Sequence, residues 1–248
     1  MILKYKKILI KLFLSSIICL SFISSANSID DLSKEELNEY IYQYIMENPE
    51  VILESVDRLR KKMEENTENN DKFLEENFTQ MANNPLIPFM GSDSPKVTII
   101  EFFDYNCGYC KKSLDAIREL LRSEYDLKIS FRDYPILSPS SRIAAAAALA
   151  AKEQGKYFLF HSALMNLQGN LDENKIYSTA ENLEIDIVKL KEDMNKPEIN
   201  KILEENEELA RKLNIRGTPT FLINGKLYAG ALELNKLKAI INQSLEDS

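Results

Sequence analysis

Apolar residues recur along this chain with two periods, and the change of period divides it. From about residue 30 to residue 82 the sequence is polar and acidic, with apolar residues at helical spacing. Ser33 followed by Glu36 forms a capping-box pattern, after which Leu37, Ile41, Tyr44 and Ile45 share one face. Asn48 can cap a second helix, with Pro49 at its first position, where a missing N–H costs nothing. Ile52, Val56, Leu59 and Met63 then follow at spacings of four, three and four, a short coiled-coil seam. Residues 66–71 read as a polar break, and residues 73–81 as a further helical piece. This stretch has too little apolar content for a core of its own. Its stripe has to be covered by the next domain or by copies of itself, and the second is favoured.

Residues 85–95 carry Pro, Gly, Asp and Ser and read as a linker. The pattern then changes. Residues 97–103 are an apolar, partly β-branched run, expected as a buried central strand. A helix is expected over residues 107–123, with Leu114, Ile117, Leu120 and Leu121 on one face. A second strand is expected over residues 127–134, where Leu127, Ile129 and Phe131 alternate. Residues 138–213 are helical throughout, including the close-packing alanines 144–148. Strand character returns at residues 220–223 and 227–229 around Asn224-Gly225, the strongest short hairpin signal, and a helix carrying Leu234, Leu237, Ile240 and Ile241 closes the chain. A helical crossover implies parallel strands and a two-residue turn antiparallel ones. The expected fold is therefore α/β, with a mixed central sheet, a helical insertion at about 138–213 and an N-terminal helical segment.

Composition changes this picture mainly at the N-terminus. Lys4, Lys6, Lys7 and Lys11 precede an apolar run and the small residues Ser24-Ser25-Ala26, the layout of a secretory signal peptide over residues 1–26. The run is shorter than the roughly 20 residues of a membrane span, so cleavage is favoured over an uncleaved anchor. Domains are expected at 1–26 (signal), 27–84 (helical, assembling), 85–95 (linker) and 96–248. Cleavage removes four lysines and no acids, taking the formal charge from −8 to −12. So acidic a protein, with no basic stripe, argues against nucleic acid as a partner.

Cleavage also removes Cys19 and leaves two cysteines, Cys107 and Cys110, in a C-x-x-C pair at the head of a helix and directly after a strand. Thiol–disulfide exchange needs an acidic, reachable thiol and a second thiol to resolve the mixed disulfide. The helix N-terminus stabilises a thiolate at Cys107, and Cys110 lies one turn deeper. Cys107 is thus the expected nucleophile and Cys110 the resolving thiol, with Gly108 and Tyr109 tuning both. Zinc normally takes four ligands, and one histidine beside one cysteine pair is a poor set, so no metal is expected. A static bridge over so short a loop would add little stability. The lone histidine, His161, is assigned no role. Phe103, Tyr105 and above all Tyr109 are taken as an apolar landing for substrate.

The segment from Ile100 to Cys110 resembles the thioredoxin superfamily, and within it the DsbA-like branch, which carries a helical domain inside the thioredoxin fold. The resemblance covers residues 96–248. It implies a cis-proline at Pro219 facing the cysteines, with the Thr218 backbone contacting an extended substrate. It also implies that Glu101 transfers protons with Cys110. Residues 44–53 are similar to the N-terminal region of the suppressor-of-copper-sensitivity C proteins, which implies assembly of subunits. The implied function is an exported, periplasmic protein-disulfide oxidoreductase that needs no bound cofactor. Its partners would be reduced or misbridged secreted proteins and a membrane redox partner that resets the cysteine pair. Gly-Tyr between the cysteines and Thr before the proline look like the isomerase branch, so an oligomeric isomerase or reductase is the alternative to an oxidase.

Overall fold

The computed structural model describes residues 33–246. The expected signal peptide and Cys19 lie outside them. Two compact units are present, one ending at Lys62 and the other beginning at Met63. This boundary falls well before the one expected at residue 84.

The first unit holds one helix and the start of a second, whose later residues belong to the second unit. Helix α1 spans Lys34–Glu47 and opens with the expected capping box: Ser33 Oγ accepts from the Glu36 N–H at 3.2 Å, and the Ser33 N–H donates to Glu36 Oε2 at 3.0 Å. Helix α2 spans Glu50–Ala82. The break expected at residues 66–71 is absent. That run contains neither Gly nor Pro, and its polar side chains find partners compatible with a helix. Thr67 Oγ1 donates to the Met63 carbonyl at 2.9 Å, and Asn70 Nδ2 donates to the Leu213 carbonyl at 2.7 Å.

The second unit is built on a five-stranded mixed sheet, in the order β1-β3-β2-β4-β5. Strand β2 (Val97–Phe103) pairs parallel with β3 (Leu127–Asp133), the two being joined through helix α3 (Gly108–Leu121). Strand β4 (Thr220–Ile223) runs antiparallel to β2 and forms a hairpin with β5 (Lys226–Ala229). Asn224 and Gly225 both take positive φ there, as a two-residue turn requires. The linker expected at residues 85–95 contains a strand instead. This is β1 (Phe89–Gly91), antiparallel to β3. Gly91 permits the pairing, because a Cβ at this position would lie 2.1 Å from the Leu127 carbonyl oxygen.

Between β3 and β4 the chain forms α4 (Pro139–Ala151), α5 (Tyr157–Asn166), α6 (Glu173–Asn182), α7 (Ile187–Met194) and α8 (Pro197–Lys212). Helix α9 (Leu234–Glu246) closes it. Alternation along the strands gives the sheet two buried faces. Val97, Ile99, Phe103, Ile129 and Phe131 join the larger core under α3, α9 and the insertion. Ile100, Phe102 and Leu222 meet Leu74, Met81, Ala210 and Leu213 on the other face. The fold expected from the sequence, a mixed sheet with a helical insertion, is the one observed.

Candidate active site

Strand β2 ends at Phe103, and residues 104–106 turn the chain into α3. Cys107 is the N-cap of that helix. The Cys110 N–H, one of the helix's unpaired amides, donates to Cys107 Sγ at 3.3 Å. The Thr218–Pro219 peptide bond is cis, and Cys107 Sγ donates to the Thr218 carbonyl at 3.2 Å. The chain therefore brings Cys107, Cys110, Thr218 and Pro219 together across more than a hundred residues of sequence. Both cysteines are free thiols.

The environments of the two sulfurs push their acidities apart. Cys107 is pulled down from the ordinary thiol range to about 6, above all by a hydrogen bond from Cys110, with further help from Thr218 and the backbone. These outweigh the opposing effect of burial. The Thr218 hydroxyl is buried beside the site with no hydrogen-bond partner among the described residues. Cys110 is pushed far above the ordinary range, first by burial, then by its hydrogen bond to Cys107 and by the nearby Glu101 carboxyl. At neutral pH the pair is thus one thiolate and one firmly protonated thiol. Only 5% of Cys107 is exposed, less than a freely reachable nucleophile suggests, and Cys110 is fully closed off.

Glu101 lies on β2 and is 1% exposed, with one carboxyl oxygen unpaired. It is no strand-end surface carboxylate. Burial, and then the Cys107 thiolate, raise it to about 8. It is accordingly a buried acid holding its proton at neutral pH, close enough to both sulfurs to feel their charge. Gly108 is exposed and has no heavy atom where a Cβ would stand, so its small size reflects no steric demand. Tyr109 is 64% exposed beside Cys107, which leaves the landing role expected for it open. Phe103 and Tyr105 cannot serve as a landing: both are fully buried, edge to face with each other. His161 is buried with them. Its Nδ1 lies 3.1 Å from the Tyr105 hydroxyl, and burial lowers it to about 3, so the ring is neutral.

Sequence reasoning missed the polar residues behind the nucleophile. Asp104, Asn106, Ser138, Ser140 and Ser141 form one hydrogen-bonded cluster. It also missed Asp133, buried on β3 with both carboxyl oxygens unpaired and its pKa raised well above the usual range by that burial. Its position after the alternating run of β3 was the available signal.

A dithiol at a helix tip, beside a cis-proline on a mixed sheet, defines a thioredoxin-fold redox protein. The chain belongs to the DsbA-like thioredoxin domain family, whose model matches residues 98–242. Residues 34–65 match the copper resistance protein ScsC N-terminal domain. Disulfide bond formation protein D of Bacillus subtilis (strain 168) is 26% identical over 171 residues, covering 64% of this chain and 77% of that protein. A thioredoxin-like oxidoreductase of Silicibacter pomeroyi DSS-3, known as a crystal structure, is 35% identical with a TM-score of 0.65, covering 67% of this chain and 96% of that one. The Na(+)/H(+) antiporter NhaA 1 of Salinispora arenicola (strain CNS-205) is 30% identical over 156 residues, 62% of this chain. The match spans only 24% of the antiporter, so this chain corresponds to about a quarter of that relative.

Proposed function

We propose that this chain is an exported protein-disulfide oxidoreductase that forms disulfide bonds in secreted proteins, with Cys107 and Cys110 as its redox centre. The observation that carries this reading is the contrast between the two sulfurs, one acidic and one firmly protonated.

In the oxidised form the two sulfurs share a bond. A substrate thiolate attacks Cys107, the outer of the two, and Cys110 leaves with the bonding electrons. Glu101 supplies the proton that Cys110 needs in that buried place. A second substrate thiolate then attacks its own sulfur in the mixed disulfide and expels Cys107 as a thiolate. The substrate gains one disulfide, and the cysteine pair takes up two electrons. An acidic Cys107 is a good leaving group, and its stable thiolate favours the reduced enzyme, which makes the pair oxidising. Tyr109 and the backbone at Thr218 and Pro219 contact the substrate chain, and Gly108 and Tyr109 set the dipoles near the sulfurs. A membrane redox partner removes the electrons. The periplasm is the compartment where such a pair serves secreted proteins.

Equilibration of the purified protein with glutathione buffers, reading the thiol state, tests the direction. A pair more oxidising than glutathione supports the oxidase reading, and one as reducing as thioredoxin overturns it. Cys107→Ser is expected to abolish oxidation of a reduced model protein.

A second reading has its own observation. Leu37, Ile41, Tyr44, Ile52, Val56 and Leu59 are all exposed in the N-terminal helices. Such a stripe fits self-association into an oligomeric isomerase, and the ScsC-type match over the same residues supports it.

A further inference from the structure

The turn that delivers Cys107 is fastened from behind by side chains that no step of the exchange reaction uses. Asp104 is buried, and its carboxylate accepts three hydrogen bonds. Oδ1 takes the Asn106 N–H and the Ser141 hydroxyl, each at 2.7 Å, and Oδ2 takes the Leu137 N–H at 2.9 Å. The Asp104 carbonyl accepts the Cys107 N–H at 3.0 Å. Asn106 immediately precedes the nucleophile. Its Nδ2 faces the hydroxyls of Ser138, Ser141 and Ser140 at 2.8, 2.9 and 3.1 Å. Its Oδ1 accepts the Leu171 N–H at 2.7 Å. Ser138 is also the N-cap of α4. One amide side chain thus ties three segments together: the Cys107 turn, the start of α4 and the loop that leads into α6.

We propose that Asn106, braced by Asp104, is a positioning residue for Cys107, fixing its sulfur against the Cys110 N–H and the Thr218 loop. Contacts of 3.2–3.3 Å to sulfur depend on where the turn places the N-cap residue. The turn is short, and its backbone carries only the Asp104–Cys107 bond of its own. The helical insertion supplies the remaining restraint through Asn106. The charged and titratable groups that face Cys107 are Cys110 and Lys111 on α3 and Glu101 on β2. None of them is altered by a change at Asn106, so its effect on the sulfur is geometric.

The inference rests on Cys107 being the acidic, attacking thiol. Its test nevertheless needs no turnover and can fail independently of the proposed oxidase activity. The rate of Cys107 alkylation by iodoacetamide is measured against pH in the full reduced protein, alongside thermal unfolding. Asn106→Ala is expected to move the midpoint upward, with at least a threefold slower reaction at pH 6. Asn106→Leu keeps the bulk and adds no charge but removes both the donors and the Leu171 acceptor, and should move it at least as far. Ser178→Ala, at a serine outside this cluster, should leave the midpoint unchanged. If Asn106→Ala does not fold, Ser141→Ala loosens the same joint and is read in the same way. A lower unfolding temperature with an unmoved alkylation profile would reduce Asn106 to a stabilising staple and overturn the proposal.

Discussion

At the scale of single residues, the site is a set of groups whose protonation the fold has displaced. Glu101 is raised to about 8 in the folded protein, so its contribution to stability is complete below its ordinary value of 4.5 and is lost as pH rises through 8. Cys107 runs the other way. Its value is depressed to about 6, so its contribution is present at alkaline pH and lost as pH falls through 6. Glu101→Gln removes the first effect and leaves the second. Between pH 5 and pH 8 the loss at Glu101 is largely offset by the gain at Cys107, so in the variant the stability of the reduced protein at pH 8, relative to pH 5, should rise by on the order of 3 kcal/mol. Denaturant unfolding at the two pH values measures this, and an unaltered difference would mean that Glu101 is ionised in the fold. The same variant should slow departure of Cys110, because the buried acid coupled to it is gone. The cysteine pair was legible because strand–turn–C-x-x-C is a local pattern with a chemical reason, whereas the cis bond at Pro219 and the buried acid at Glu101 came through the family resemblance. The Asp104–Asn106–serine cluster was not legible. Its two halves are 32 to 37 residues apart, and each residue alone looks like an ordinary turn or cap residue.

At the scale of elements, periodicity gave the helices and central strands, and it failed where an element is too short or too polar to show a period. Strand β1 has three residues, one of them Gly, and sits among residues that signal turns. Only its pairing with β3 makes it a strand. Helix α2 runs through a polar stretch because a helix needs an apolar side only where it is covered, and Gly or Pro to stop it. Gly91 provides a test at this scale. It has φ +102°, and a side chain there would meet a backbone carbonyl that cannot swing away. Gly91→Ala should cost roughly 1–3 kcal/mol in unfolding free energy, with β1 released from β3. An unchanged unfolding midpoint would mean that the pairing contributes nothing.

At the scale of the whole molecule, the domain boundary matters for any experiment on assembly. The second unit begins at Met63, and Leu74, Met81 and Ala82 of α2 are buried in its core. The buried Arg132 reinforces this, donating to the Met81 carbonyl at 2.9 Å and to Asn206 at 2.8 Å. A chain cut near residue 95 would lose that packing, so the informative cut lies just before Met63. Removing the residues ahead of it, or replacing Ile52 and Leu59 by Lys in the full chain, should convert an oligomer to a monomer in sedimentation while leaving Cys107 alkylation unchanged. A full-length protein that is already monomeric would overturn the assembly reading. Among the described residues, finally, the sheet ends in β1 and β5, of three and four residues. Long bare rims invite foreign chains to stack on them. Under the proposed function, whose clients would arrive unfolded and sticky, such clipped borders would let the protein hold a client at the sulfur and let it go without becoming the seed of a fibril.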